Sequence, residues 1–74
     1  MITLNNRFEY DRDQCYTKLE NLTPNPVHVF GYRKTAKGYE TFVYDRREEI
    51  EYEGATFNSE ARAQLSTIEN SEQF

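Results

Sequence analysis

The stretch VHVFGYRKTAKGYETFVYDRR, residues 27–47, is the most strongly patterned part of the chain and decides the fold. Two alternating runs flank a short segment that contains glycine, which is typical of a β-hairpin. We predict a three-residue loop, with residues 36–37 in a type I turn and Gly38 in the left-handed conformation. Thr35 then pairs with Tyr39.

This pairing divides the side chains of the hairpin between two faces. One face carries Val27, Val29, Gly31 and Arg33 opposite Arg47, Asp45, Val43 and Thr41. The other carries His28, Phe30, Tyr32 and Lys34 opposite Arg46, Tyr44, Phe42 and Glu40. Rings therefore face rings, and each such cross-strand pair contributes roughly 0.2–1 kcal/mol. A loop one residue longer would exchange every pair.

Aromatic rings have to fill most of the interior. The chain has eleven Phe and Tyr residues but only ten Ile, Leu and Val residues. A ring buries about 150–250 Å², so we expect the four hairpin rings Phe30, Tyr32, Phe42 and Tyr44 to be core. We also expect Cys15 to be buried, because free cysteine is among the most buried residue types.

The segments around the hairpin complete the predicted fold. Residues 2–10 alternate as one strand or as a strand with a break at the NN dipeptide. Residues 11–22 fit either a helix that ends before Pro24 or a strand. The strand interpretation makes residues 21–25 a loop between antiparallel neighbours.

The C-terminal third adds a strand and a helix. Residues 47–57 alternate, with Ile50 and Tyr52 on one side and Glu49, Glu51 and Glu53 on the other, and Gly54 is expected to bend or end this strand. Asn58 or Ser59 suits a helix N-cap, and the following apolar stripe is Ala61, Leu65 and Ile68. We predict an α+β fold, in which a small antiparallel β-sheet of four to five strands carries one short C-terminal α-helix. Residues 1–70 form a single compact domain, and residues 71–74 form a frayed tail.

The inventory of reactive residues argues against an enzyme. Cys15 and His28 are the only residues of their types, and no motif links them as nucleophile and base. They cannot supply the four ligands of a zinc site without another chain. The three glycines lie too far apart for a phosphate-binding loop. We therefore predict no catalytic residues, no metal site and no cofactor.

Localisation is predicted from the same sequence. The first residues lack a basic segment followed by an apolar run, and no window approaches the ~20 apolar residues of a membrane span. A single thiol fits a reducing compartment. We expect a cytoplasmic protein without membrane association, located in the host cytoplasm if a bacteriophage encodes it.

The net charge of −4 is unevenly distributed along the chain. Residues 28–47 carry +3, whereas residues 48–74 carry −6. A row of carboxylates spaced about 6.6–6.8 Å apart on a strand can imitate the phosphates of a nucleic acid. The residues of this predicted acidic surface are Glu48, Glu49, Glu51 and Glu53, with Tyr52 as a neighbouring anchor.

The basic hairpin is the second candidate surface. Rings beside cations are typical of platforms that stack bases and follow phosphates. The residues of this alternative, nucleic-acid-binding surface are Tyr32, Arg33, Lys34, Lys37 and Arg46. The pI of about 4.9 argues against a polyanion as the partner, because nucleic-acid-binding domains are strongly basic.

A short, acidic, tyrosine-rich chain with one cysteine is similar in kind to the small proteins with which bacteriophages bind and inhibit host proteins, anti-CRISPR proteins among them. The similarity is one of size and composition and includes no motif. It favours a non-enzymatic binding protein whose partner is a protein, in particular the basic surface of a nucleic-acid-handling complex. The alternatives are a small nucleic-acid-binding module and a structural protein that self-associates, for example as a homodimer.

Overall fold

The computed structural model of the chain describes residues 8–19 and 27–73. They form a five-stranded antiparallel sheet and one C-terminal helix, which confirms the predicted α+β fold. Within these residues the strands follow one another across the sheet in chain order, so the first and the fifth lie at its two edges. The elements are β1 (Phe8–Asp11), β2 (Tyr16–Leu19), β3 (His28–Thr35), β4 (Gly38–Asp45), β5 (Ile50–Phe57) and α1 (Glu60–Gln73).

The central hairpin has a two-residue loop, not the predicted three-residue loop. Thr35 pairs with Gly38, so the predicted pairing with Tyr39 is wrong and every following pair shifts by one residue. The Thr35 hydroxyl stabilises the short loop, since it accepts a hydrogen bond from Lys37 N at 3.3 Å. Gly38 does have a positive φ of 137°, but it belongs to β4. A Cβ atom at this position would collide with the carbonyl oxygen of Phe57 on β5.

The shift in register separates the four hairpin rings. Phe30 faces Val43, Tyr32 faces Thr41, and Phe42 faces Gly31. Phe30 and Tyr32 therefore lie on one face of the sheet, and Phe42 and Tyr44 lie on the other. The expectation of buried rings holds for Phe30, Tyr32 and Phe42, whereas Tyr44 is half-buried. The four rings are therefore divided between the two faces of the sheet and do not form one cluster.

Helix α1 covers the face that carries Phe30, which we call the helix face. Phe30, Leu19, Val43 and Ile68 form its core, and Phe8 packs against them. The predicted apolar stripe of α1 is correct only at Ile68, because Leu65 is 49% exposed. The small residues Ala63 and Thr67 are fully buried instead.

Contacts with the sheet explain why α1 turns Ala63 and Thr67, and not the predicted Ala61 and Leu65, towards the strands. Small side chains let the helix backbone approach the strands closely. The Thr67 hydroxyl donates a hydrogen bond to Ala63 O at 2.7 Å and lies 3.5 Å from Gly31 O on β3. Tyr32 adds a polar contact: its hydroxyl donates to Glu60 Oε2 at 3.1 Å and accepts from Gln64 Nε2 at 3.0 Å. Together these contacts fix the helix over β3.

The two ends of α1 differ in how well the sequence predicts them. Ser59 lies at the predicted N-cap position, and its carbonyl oxygen accepts a hydrogen bond from Ala63 N at 3.1 Å. At the other end the helix continues through Gln73, so residues 71–73 of the predicted frayed tail are helical. Phe74 lies outside the described residues. No helix of the described residues is long and apolar enough to cross a membrane.

The hairpin of β1 and β2 shows which of the two predicted structures part of residues 11–22 adopts. Residues 16–19 form β2, which confirms the strand interpretation there, while residues 20–22 lie outside the described part of the chain. Asp11 does not begin a helix. Its Oδ1 accepts hydrogen bonds from Asp13 N at 3.0 Å and Gln14 N at 3.1 Å, which closes the turn between β1 and β2.

Cys15 ends that turn with a positive φ of 58°, and its side chain is exposed. The predicted burial of this thiol is therefore wrong. The turn places Cys15 at the end of the hairpin of β1 and β2, immediately before β2. At the N-terminal end of the chain, Phe8 lies on β1, but Ile2 and Leu4 of the predicted strand lie outside the described residues.

A β-bulge interrupts the pairing of β4 with β5. The pairing is interrupted between Glu40 and Phe42, and the fully buried side chain of Thr41 fills the gap. Its hydroxyl accepts a hydrogen bond from Ala55 N at 3.0 Å and lies 3.3 Å from Ala55 O. Gly54 sits opposite Thr41, where a Cβ atom would collide with the hydroxyl. This glycine therefore belongs to an irregularity within β5 and does not end the strand.

Candidate functional site

The face of the sheet opposite α1 carries the candidate site, and we call it the open face. Direct cross-strand pairs place Glu9, Lys18, Gly31, Phe42 and Glu53 in one row across all five strands. Neighbouring rows on the same face add further side chains. One of these rows joins Val29, Tyr44 and Glu51. The other pairs are Asp11 with Tyr16 and Arg33 with Glu40.

Phe42 forms the floor of the open face. Only 2% of its surface is exposed, although α1 packs on the opposite face of the sheet. Gly31 makes room for the ring, because a Cβ atom at Gly31 would lie 2.7 Å from Phe42 Cζ. Tyr16 packs edge-to-face against the ring, with centroids 4.9 Å apart and an interplanar angle of 82°. The pKa of the Tyr16 hydroxyl is raised, mainly because burial disfavours its ionised form.

Arg33 covers the same ring from above. Its guanidinium carbon lies 4.6 Å from the centroid of Phe42, within the range of a cation–π contact. The guanidinium then reaches β5, where Nη1 and Nη2 donate to the two carboxylate oxygens of Glu51 at 2.8 and 2.5 Å. This two-pronged hydrogen bond raises the pKa of Arg33 and lowers the pKa of Glu51. Both side chains remain partly exposed.

A cavity of about 460 Å³ opens beside this arrangement. The rings of Tyr16, Phe42 and Tyr44 supply its apolar lining, together with Val29. Its polar lining includes both signs of charge, from Arg33, Arg46, Glu49 and Glu51. The cavity can therefore hold a flat or aliphatic group and pair it with either a cation or an anion.

Carboxylates border the open face at both edges of the sheet. Glu9 and Asp11 lie on β1, and Glu51 and Glu53 lie on β5. With Glu40 on β4, the described strands place five acidic residues on this face. They place two basic residues there, Lys18 and Arg33. The excess of negative charge, combined with the aromatic floor, suits a cationic group from outside.

The predicted acidic surface is only partly a row. Glu51 and Glu53 share the open face, but Glu49 precedes β5 in a turn, with a positive φ of 56°. Glu51 is paired with Arg33, which leaves Glu53 as the carboxylate of β5 that projects without that partner. Glu48 lies in the same turn, where its amide donates to Asp45 Oδ1 at 3.3 Å. Tyr52 lies on the helix face, and its hydroxyl is 3.5 Å from Glu48 Oε2.

The predicted basic surface is divided between different sides of the molecule. Tyr32 is 3% exposed and lies beneath α1, so it cannot stack a base. Arg33 and Arg46 line the cavity of the open face. Lys34 pairs across the strands with Tyr39 on the helix face, and Lys37 lies in the hairpin loop. The five residues therefore do not form one platform.

Cys15 and His28 lie near opposite ends of the sheet. Thr17 pairs with Tyr32, so Cys15 lies beyond that pair in the direction of Lys34, about six residues along β3 from His28. Six residues of strand span roughly 20 Å. His28 Nε2 lies 4.0 Å from Asp45 Oδ2 on the neighbouring strand. No group of three or more His, Cys, Asp or Glu side chains within residues 8–19 and 27–73 could hold a metal ion.

The residues of the site that sequence reasoning missed are Tyr16 and Tyr44. Each belongs to an alternating run, but the face on which a run points depends on register, and a slip of one residue exchanges the two faces. The available signal was Gly31 in the middle of a strand, which often marks the close approach of another group. That group is the ring of Phe42.

The comparisons with known proteins add no assignment. No protein-family model matches the chain, and no curated protein or solved structure matches it significantly.

Proposed function

We propose that this protein is a non-enzymatic binding protein that occupies a basic surface of a partner protein with the open face of its sheet. One observation carries the proposal. On the face opposite α1, a buried ring, Phe42, and the half-buried rings Tyr16 and Tyr44 are bordered by carboxylates at both edges of the sheet, with Glu9 and Asp11 on one side and Glu51 and Glu53 on the other. A basic surface complements this arrangement in shape and charge.

Arg33 demonstrates the kind of contact that the open face makes. Its guanidinium lies on the ring of Phe42 and forms a two-pronged hydrogen bond with Glu51. Arginine suits both contacts, because its planar fork matches a carboxylate and stacks on rings. Tyr16 and Tyr44 offer further ring surface in the adjoining cavity. An arginine of the partner can bind there in the same manner.

The partner class that best fits is a nucleic-acid-handling protein, because such proteins present basic grooves to bind phosphates. A small acidic domain in that groove would exclude the nucleic acid and inhibit the partner. This is the mode of action expected of the phage-type inhibitors, anti-CRISPR proteins among them, that the chain resembles in size and composition. Electrostatic attraction would also accelerate the association.

Direct binding of nucleic acid is the second candidate function. It is favoured by Tyr16, Tyr44 and Arg46, which lie around one cavity and could stack and pair a nucleotide. The surrounding carboxylates oppose it, since they repel phosphates. A gel-shift titration with single-stranded and duplex DNA and RNA at low salt separates the two functions. The second requires a shift that salt reverses, and the first predicts none.

The proposed function is tested by quantitative pull-down from the native cells with three forms of the protein. The variant Glu49→Lys/Glu53→Lys reverses two charges on the open-face side and leaves the Arg33–Glu51 pair in place. The matched control, Glu69→Lys/Glu72→Lys, makes the same change of net charge on exposed positions of α1. We expect the wild type and the control to recover one common protein, and the first variant to lose it by tenfold or more. Equal recovery by all three forms would contradict the proposal.

A further inference from the structure

Strand β5 forms an exposed outer edge of the sheet. Seven of its eight residues, from Ile50 to Thr56, are exposed, although the strand is as long as β3 and β4 in the interior of the sheet. No other strand of the described residues pairs with this edge. We propose that β5 accepts an extended segment of the partner as a sixth strand, and that this segment alternates basic and apolar residues.

The register shows which backbone groups of β5 are available. Arg46 N donates to Val27 O at 2.8 Å, so alternate residues of β4, counted back from Arg46, bond towards β3. Val43 and Asp45 then bond towards β5, where their partners are Tyr52 and Ile50. The N–H and C=O groups of Glu51 and Glu53, the intervening residues, point to the free edge. An incoming strand would pair with these groups.

The side chains of β5 define the pattern of the incoming strand. On the open face, Glu51 and Glu53 would lie beside its basic residues. On the helix face, Ile50 is 44% exposed and Tyr52 is 50% exposed, and apolar residues of the incoming strand would cover them. Because side chains alternate between faces, a basic residue at every second position satisfies both requirements.

The same charges argue against a second copy of this chain as the occupant. If two β5 strands paired antiparallel with Tyr52 at the centre, Glu51 of each copy would lie opposite Glu53 of the other copy. Like charges directly opposite each other destabilise a strand pair. Acidic side chains on an edge protect it from self-association in this way. A basic segment converts that repulsion into attraction.

This inference rests on the proposed function, since it specifies how the basic partner is held. The probe is a capped peptide of four Lys-Val repeats, titrated into isotope-labelled protein and followed by amide chemical shifts and hydrogen exchange. We expect saturable binding, with at least tenfold slower exchange of the Glu51 and Glu53 amides. A peptide of the same composition with four lysines followed by four valines should bind at least fivefold more weakly. Equal binding of the two peptides, or unchanged exchange along β5, would overturn the inference.

Two substitutions at one position separate strand pairing from charge. Glu53→Gln removes the carboxylate but retains the backbone N–H that points to the free edge. Glu53→Pro removes both the carboxylate and this N–H. We expect the glutamine variant to bind the alternating peptide a few-fold more weakly and the proline variant to lose binding. Unimpaired binding by a folded proline variant would overturn the inference. The exchange measurement on the wild type decides the matter if the proline variant does not fold. Failure of these tests, with the loss in the pull-down retained, would leave the proposed function standing.

Discussion

Gly31 on β3 and Phe42 on β4 lie directly opposite each other, and the ring of Phe42 occupies the space that a side chain at position 31 would need. A Cβ atom at Gly31 would lie 2.7 Å from Phe42 Cζ and 2.6 Å from the carbonyl oxygen of Thr17 on β2. Strands β2, β3 and β4 therefore pack closely around Gly31, where there is no room for a side chain. This relationship helps to bury Phe42 on the open face, the face opposite α1.

The substitution Gly31→Ala should destabilise the protein. The added methyl group has to displace both a backbone oxygen and a buried ring, and overpacking of this kind costs about 1–3 kcal/mol. Urea unfolding followed by circular dichroism measures the change in the free energy of unfolding. Ala55→Val is the control, since it adds carbon at an exposed position of β5 and should change stability by less than about 0.5 kcal/mol. Equal stability of Gly31→Ala and the wild type would show that the ring does not occupy this space.

The hydroxyl of Tyr32 should contribute to the docking of α1. It links β3 to Glu60 and Gln64 of the helix by two hydrogen bonds. Tyr32→Phe should lower the free energy of unfolding by roughly 0.5–1.5 kcal/mol, the usual net value of a hydrogen bond. Thermal unfolding of this variant is compared with that of Tyr10→Phe, which alters a tyrosine that is 59% exposed. If both variants lose the same stability, the hydroxyl of Tyr32 has no special role.

Alkaline pH should weaken the fold through the same tyrosine. Burial is the main cause that raises the pKa of Tyr32 above its ordinary value. Since the folded state holds this proton more tightly than the unfolded state, the associated stability is complete below about pH 10. It is lost as the pH rises through the raised pKa. Unfolding free energies at pH 8 and pH 11 should differ less in Tyr32→Phe than in the wild type, and an equal decline would refute the prediction.

Acidic pH should weaken the fold through Glu51. The hydrogen bonds from Arg33 lower its pKa, so the pair stabilises the folded state above about pH 4.3, the ordinary value for a glutamate. This contribution is lost as the pH falls through the lowered pKa. Because both side chains are partly exposed, we expect a contribution of only about 0.2–1 kcal/mol.

Glu51→Gln tests this contribution by urea unfolding at pH 6 and pH 3. The variant should be less stable than the wild type at pH 6 and should lose less stability on acidification. Glu53→Gln is the matched control, because it removes a carboxylate from the same strand and face but leaves the Arg33 pair intact. An identical loss of stability in the wild type and in Glu51→Gln would contradict the assignment of the pKa shift to this pair.

The elements of the fold could be predicted from local pattern, but the faces could not. Alternation predicted β3, β4 and β5, and the residues that suit an N-cap predicted the start of α1 near Ser59. The loop at residues 36–37 fits both a two-residue and a three-residue turn, and the choice depends on contacts with β5 that no local pattern contains. One residue of difference then moved Phe42 and Tyr44 to the open face.

The candidate site was predicted less well for the same reason. Glu51 and Glu53 were correctly placed on one side of a strand, but their relation to Arg33 depends on the register of β3, β4 and β5 together. Cys15 was assigned to the interior because of its residue type. Its actual position follows from the local turn that Asp11 closes with hydrogen bonds from the backbone of Asp13 and Gln14.

The proposed function requires that the open face, and not negative charge in general, binds arginine. Titration of isotope-labelled protein with octa-arginine at physiological ionic strength tests it, because α1 carries the exposed carboxylates Glu69 and Glu72 as an internal competitor. We predict that the largest amide shift changes occur at Tyr16, Phe42 and Tyr44, and that Tyr44→Ala weakens binding several-fold. Largest changes along α1, or changes spread evenly over every acidic residue, would contradict the claim.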